Sequence, residues 1–178
     1  MTELLLVRHG ETDWNRELRF QGQADPPLND AGRAQARELA RTLAEVEIDA
    51  VYTSDLRRAV ETAEIVAAGR GIPILAEPGL REVDVGSWSG LTREQIEERF
   101  PGARDHDGET REAHLARVVA TVERIAAEND GKRVLIVSHG GSLRALHGHA
   151  LKVESVPRIA NCAVYRLAFR NGTLAGID

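Results

Sequence analysis

Apolar residues follow two rhythms along this chain. Short unbroken runs, LLLV at residues 4–7 and VLIV at 134–137, read as strands buried on both faces, since a half-covered strand would alternate. Between such runs the spacing is helical. Residues 28–46 place Ala36, Leu39, Ala40, Leu43 and Val46 on one face, with Asn29 or Asp30 as the N-cap. The first strand is expected over residues 2–7, ended by Gly10, and a second over 50–54. Ser54 is expected to cap the helix DLRRAVETAEIVAAG, which Gly69 stops. A third short strand is expected over 73–76. The polar stretch after Gly10 and LREVDVGSWSG read as loops.

Thr92 and Gln95 have capping-box spacing at the head of TREQIEERF, and Pro101 closes that helix. A longer helix is expected over 110–128, and SLRALHGHAL reads as helical after the strand RVLIVS. The end, AVYRLAFRNGTLAGID, alternates around Asn171-Gly172, a strong hairpin signal. The pattern therefore predicts an α/β fold: a three-layer α/β/α sandwich with a mostly parallel central sheet and an antiparallel C-terminal edge hairpin.

Composition narrows the function classes. At 178 residues, with 42% hydrophobic and 29% charged, the chain suits one domain over 1–178 with a real core. Its 23 Lys and Arg against 28 Asp and Glu give a formal charge of −5, which argues against general binding to nucleic acid or an anionic membrane. No apolar run approaches the roughly 18 residues of a membrane span, and no basic-then-apolar leader precedes the first strand. Cys162 is the single cysteine, so no internal disulfide can form; a cytoplasmic location is the expectation.

Parallel strands bring their carboxyl ends to one side of the sheet, where α/β proteins bind ligands. The first strand delivers Arg8-His9-Gly10, the second leads to Arg57-Arg58, and the fourth delivers Ser138-His139-Gly140-Gly141. Two imidazoles and at least two guanidiniums then converge. Such a cluster repels a metal cation and attracts an oxyanion, most naturally a phosphoryl group. The helix N-termini after Ser54 and His139 would add free amides, and the glycines would admit close approach. A histidine among arginines stays neutral more readily, and neutral imidazole is a nucleophile. His9 is thus the candidate nucleophile. Arg8, an arginine of the second cluster and His139 would stabilise charge, and Glu82 in the LREVDVGSWSG loop is the best-placed proton donor.

At this point five segments carry a resemblance. LVRHGETDWN resembles the RHGxTxxN signature of the histidine phosphatase superfamily, also called the phosphoglycerate mutase-like family. RFQGQADPPLNDAGRAQA, SDLRRAVETA, LREVDVGSWSGLT and VLIVSHGGSLRAL resemble four further segments of that family, in its order. The resemblance implies that His9 becomes phosphohistidine, that Arg8, Arg58 and His139 bind phosphoryl oxygens, and that Glu82 is general acid and then base. It separates Arg58 from Arg57, which spacing alone leaves open. It implies that Asn15, Gln21, Gly22 and Gly140 line the phosphate pocket, and that neither metal nor organic cofactor is required. Ser89 stands where the family often has Glu, and Thr110 departs from its usual GES segment; both bear on specificity.

The family contains phosphatases and mutases. Only 56 residues separate Glu82 from His139, too few for the long basic insertion associated with the mutases, and the mutase form of the Trp88 loop is absent. The expectation is a phosphomonoester phosphatase acting on a small phosphorylated metabolite, with a phosphoglycerate mutase as the alternative. A phospholigand-binding module and a metal hydrolase are the rivals from other classes. His147 and His149, two residues apart, do not share a helix face and are not read as a metal pair. His106 and His114 have no informative spacing. Trp14 and Trp88 are expected to pack at the pocket rim, and Cys162 to pack as a small hydrophobe. No nucleic-acid or membrane partner is expected, and a homodimer is the base-rate expectation.

Overall fold

A computed structural model describes residues 1–177. Six strands form one sheet: β1 (Thr2–Arg8), β2 (Ala50–Thr53), β3 (Ile74–Ala76), β4 (Arg133–Ser138), β5 (Val164–Arg170) and β6 (Thr173–Gly176), in the order β3-β2-β4-β1-β5-β6. The first four are mutually parallel, while β5 runs antiparallel to β1 and β6 to β5. Asn171 and Gly172 both take positive φ, 53° and 77°, the conformation a tight two-residue hairpin needs.

The helices are α1 (Asp13–Arg16), α2 (Asp30–Thr42), α3 (Arg57–Ala67), α4 (Arg93–Arg99), α5 (Arg111–Glu128) and α6 (Gly140–Leu151). The apolar runs are buried on both faces, as their lack of alternation predicts. Leu4 and Leu6 of β1 join Val134 and Ile136 under Val118, Val122, Ile125, Leu143 and Leu146 of α5 and α6. Leu5 and Val7 join Val51, Leu135 and Val137 under Leu39, Leu43, Ala59, Ala63 and Val66 on the other side. The period of two along a strand thus splits one apolar run between two helix layers. No helix among the described residues is long and apolar enough to cross a membrane.

Local details sharpen or correct the expectations. Asn29, not Asp30, caps α2, accepting from the Gly32 amide at 2.8 Å. Ser54 does not cap α3: the N-cap is Leu56, and Ser54 Oγ sits 3.4 Å from the Leu56 amide. Asp25 caps from a distance instead, accepting from the Arg57 amide at 2.6 Å. The polar stretch after Gly10 contains α1, closed by a Thr12–Asn15 capping box. The Trp88 loop holds a short 3-10 turn, Gly86–Trp88, whose Val85 and Trp88 pack with Leu91, Ile96 and Phe20 in a separate apolar cluster. That cluster fixes the loop beside the ends of the strands.

Candidate active site

Strand register does the first part of the assembly. Arg8 pairs with Ser138 across β1 and β4, and the His9 amide donates to the Ser138 carbonyl at 3.0 Å. The two histidines that follow their strands are therefore neighbours: their ring centroids lie 5.2 Å apart, inclined at 59°. Both are buried, at 3% and 0% exposure.

His9 Nδ1 lies 2.7 Å from the Gly10 carbonyl. A carbonyl only accepts, so Nδ1 carries the proton and Nε2 keeps its lone pair. Burial, then Arg58 and Arg8, hold the His9 pKa well below the usual 6.5. His139 is held well below 6.5 by burial, Arg58, His9 and Arg8. Both rings are thus neutral at pH 7. The arginines act as expected, but burial is the larger cause.

Arg8 and Arg58 are clamped by backbone oxygens. One terminal nitrogen of Arg8 donates to the Ile159 carbonyl at 2.6 Å. Arg58 donates to the Ala24 and Gly22 carbonyls at 2.6 and 2.8 Å. Burial lowers the Arg58 pKa to about 10, which leaves it cationic at neutral pH. The Nε atoms of both arginines and both ring nitrogens of His139 are buried without a hydrogen-bond partner. Buried polar groups are ordinarily paired. Here the two guanidinium Nε–H groups belong to fixed cations and the neutral His139 ring beside His9 offers one further N–H, a set of donors that could serve an oxyanion.

The remaining expected contacts divide. Gln21 accepts from Thr12 Oγ1 at 3.0 Å, so its amide nitrogen is left for another acceptor. Gly140 opens α6, where helix amides lack intrahelical acceptors. Asn15 lines the cleft, with Oδ1 accepting from the Thr12 amide at 3.2 Å and from Asn161 at 3.3 Å. Gly22 acts through its backbone: φ is +49°, a Cβ would stand 2.6 Å from the Val85 side chain, and its carbonyl holds Arg58. Gly10 is small for another reason than close approach of a ligand, since a Cβ there would meet the Gly32 carbonyl at 2.5 Å. At the head of α3 the Leu56 and Arg57 amides are already taken, by Ser54 and Asp25.

Glu82 is held at the N-terminus of α6. Its Oε2 accepts from the Gly141 amide at 2.8 Å; its Oε1 accepts from the Ser142 and Val83 amides, each at 3.0 Å. Two of the α6 amides expected to be free for an anion thus face Glu82. Neighbouring Arg81 turns to Asp55, in two bonds of 2.7 and 2.6 Å. Glu82 and His9 line one cleft of about 1020 Å³, with Val83, Val85, Trp88, Ile96 and Leu115 among its apolar walls. Trp88 is buried against Phe20 and His106, and Trp14 packs over Gly90, so both are packing groups near the rim. Cys162 packs beside the α2 and α3 cluster, its thiol pushed up to about 11 by burial.

Several supporting residues escaped the sequence reading. Thr62 accepts from the Gly10 amide at 3.0 Å and donates to the Arg58 carbonyl at 2.7 Å, tying the segment that follows β1 to α3. Asn161 donates to the His9 carbonyl at 2.8 Å. His114 and Ser142 are buried beside Glu82, 2.9 Å apart. One signal was available for His114: it lies on the helical stripe of Val118, Val122 and Ile125, where a polar residue requires a partner.

The two neutral histidines have a measurable consequence. In the unfolded chain they titrate near 6.5, whereas in the folded protein they resist protonation. Below pH 6.5 the unfolded state then binds more protons. Their contribution is fully present above that pH and is lost as pH falls toward the folded values. Urea unfolding at pH 7 and pH 5 should show stability falling by up to about 1.4 kcal/mol per pH unit for each histidine. Removing the His9 ring should flatten that slope; an unchanged slope would mean that His9 is not buried neutral.

Comparison with known proteins agrees with this geometry. The chain is 38% identical over 177 residues to phosphoglycerate mutase-like protein 4 of Arabidopsis thaliana, covering 91% of this chain and 77% of the relative. It is 38% identical over 178 residues to the metal-independent phosphoserine phosphatase of the same plant, covering 92% and 75%. The solved structure of Bacillus stearothermophilus YhfR superposes with a TM-score of 0.92 at 36% identity, over 99% of this chain and 95% of that one. The family model of the histidine phosphatase superfamily, branch 1, matches residues 4–175. By this match and by its fold, the chain belongs to the histidine phosphatase superfamily.

Proposed function

We propose that this phosphatase cleaves monoesters of small phosphorylated metabolites in two steps through phosphohistidine on His9. The observation that carries the reading is the set of unpaired buried donors on Arg8, Arg58 and His139 around a histidine whose Nε2 lone pair is free. In the first step Nε2 attacks phosphorus in line, the bond to the ester oxygen breaks, and protonated Glu82 gives its proton to that oxygen. Arg8, Arg58 and His139 bind the three equatorial oxygens, with the Gly140 amide and the Gln21 side-chain amide at the pocket edge and Asn15 assisting. In the second step Glu82 takes a proton from water, the water oxygen attacks phosphorus, and the N–P bond breaks. Inorganic phosphate leaves and Glu82 is again protonated.

The cleft walls mix apolar side chains such as Val83, Val85 and Leu115 with charged ones such as Arg93 and Arg144, which suits an organic phosphate with polar groups. A single cysteine suits a reducing cytoplasm. Phosphate release from a panel of phosphomonoesters, with and without chelator, tests the reading. Release that survives chelator is expected. The panel includes 3-phosphoglycerate: formation of 2-phosphoglycerate without phosphate release would favour the mutase alternative. Glu82→Gln should lower kcat/KM about 10²-fold or more for alkyl phosphates and much less for aryl phosphates, whose leaving oxygens need no proton. Equal losses would remove Glu82 from the acid role.

A further inference from the structure

His114 is a buried titratable group that the two steps above leave unused. It sits one turn into α5, at 5% exposure, and also reaches the cleft. Its Nε2 lies 2.9 Å from Ser142 Oγ and 3.9 Å from Glu82 Oε1. Ser142 is fully buried, and its Oγ lies 3.2 Å from Glu82 Oε1 and 3.0 Å from the Arg81 carbonyl. A hydroxyl has one proton, so these neighbours compete for it. If His114 Nε2 accepts, the Ser142 proton is consumed there and Glu82 receives none. If His114 Nε2 donates, the Ser142 proton is free for Glu82 or Arg81.

The two oxygens of Glu82 differ in the same way. Oε1 accepts from the Val83 and Ser142 amides and also lies 3.2 Å from the Ser142 hydroxyl, whose one proton the Arg81 carbonyl can accept instead. Oε2 accepts from one amide, that of Gly141. An oxygen whose two lone pairs already accept two amide bonds cannot also carry a proton without losing one of them. The backbone cannot turn to relieve this, because Arg117, one turn further along α5, donates to the carbonyls of Gly79, Arg81 and Glu82. The charged or titratable groups around His114 are Glu82 from the loop, Arg117 on its own helix, Glu109 and His106 before it, and His139 at the head of α6.

We propose that His114 is a positioning residue: through the Ser142 hydroxyl it reserves Oε1 of Glu82 as an acceptor, so that Oε2 carries the proton delivered to the leaving oxygen. This rests on Glu82 being the proton donor. The proton balance is that of the first step, with Nε2–H of His114 donating to Ser142 and Ser142 donating to Oε1 throughout.

The experiment measures kcat/KM for an alkyl phosphate, glycerol 3-phosphate, and an aryl phosphate, p-nitrophenyl phosphate. The variants are His114→Leu, His114→Gln, Ser142→Ala and Glu82→Gln, each with its melting temperature. His114→Leu should lose about tenfold more on the alkyl than on the aryl substrate. Ser142→Ala should show the same bias, and the double variant should add little to either single one. His114→Gln, whose amide can donate to Ser142, should recover most of the alkyl activity. Equal losses on both substrates, no loss, or failure of Gln to rescue in a variant that melts like the wild type would each overturn the proposal. Glu82→Gln separates the two levels. If it shows the alkyl bias and His114→Leu does not, only the role of His114 falls. If Glu82→Gln shows no bias, the proton-donor reading falls and this proposal with it.

Discussion

Replacing His9 by Ala should lower phosphate release by about 10³-fold or more, because it removes the atom proposed to form the bond to phosphorus. The oxyanion donors survive the change. Arg8 and Arg58 are held by backbone carbonyls of Ile159, Gly22 and Ala24, none of which depends on the imidazole. The ring's own hydrogen bond is to its neighbour Gly10. The variant should therefore fold, with far-ultraviolet circular dichroism like the wild type, and should still bind inorganic phosphate. A brief reaction with labelled substrate, quenched in alkali, should trap a phosphoenzyme in the wild type and none in the variant. Substantial turnover by the variant would show that another group is the nucleophile.

The second large effect is expected at Arg58, and it joins activity to stability. Arg58 is fully buried, and its terminal nitrogens hold the Gly22 and Ala24 carbonyls against α3. Arg58→Ala leaves both carbonyls without that donor, at a cost of about 2–4 kcal/mol in all. In a chain of this size that corresponds to roughly 5–15 °C in Tm. It also removes a fixed cation proposed to bind the phosphoryl oxygens, so kcat/KM should fall by about 10²–10³-fold. Arg58 is the foremost charge depressing the His9 pKa, so the His9 titration should move up in this variant. Arg57 is the control. Its side chain is exposed, and Arg57→Ala should leave melting and turnover near wild type. The reverse ranking of the two neighbours would break the assignment.

What was legible in the sequence and what was not divide along a physical line. Strands β1 and β4 were visible because burial on both faces leaves no polar residue in the run. The caps at Asn29 and Thr92 were visible because a cap is a contact over three residues. The convergence of Arg8, His9 and His139 with an arginine of the Arg57–Arg58 pair followed from parallel strands ending on one side, a consequence of topology more than of any distance, while the choice of Arg58 came from the family resemblance. Ser54 misled for a related reason: a serine before a helix is a sound local signal, but the distant carboxylate of Asp25 reaches the same helix end.

The sequence by itself determined the layers, the strand ends that carry the chemistry and the residue types that meet there, since these depend on period, local hydrogen bonding and chain direction. Only the tertiary structure decided which donors remain unpaired, that His9 presents Nε2, and that Ser142 and His114 stand behind Glu82. Those facts depend on approaches of 3 Å or so between residues such as Ser142 and Glu82, 60 positions apart. No local pattern encodes them, because each is the outcome of packing the helices on both faces of the sheet.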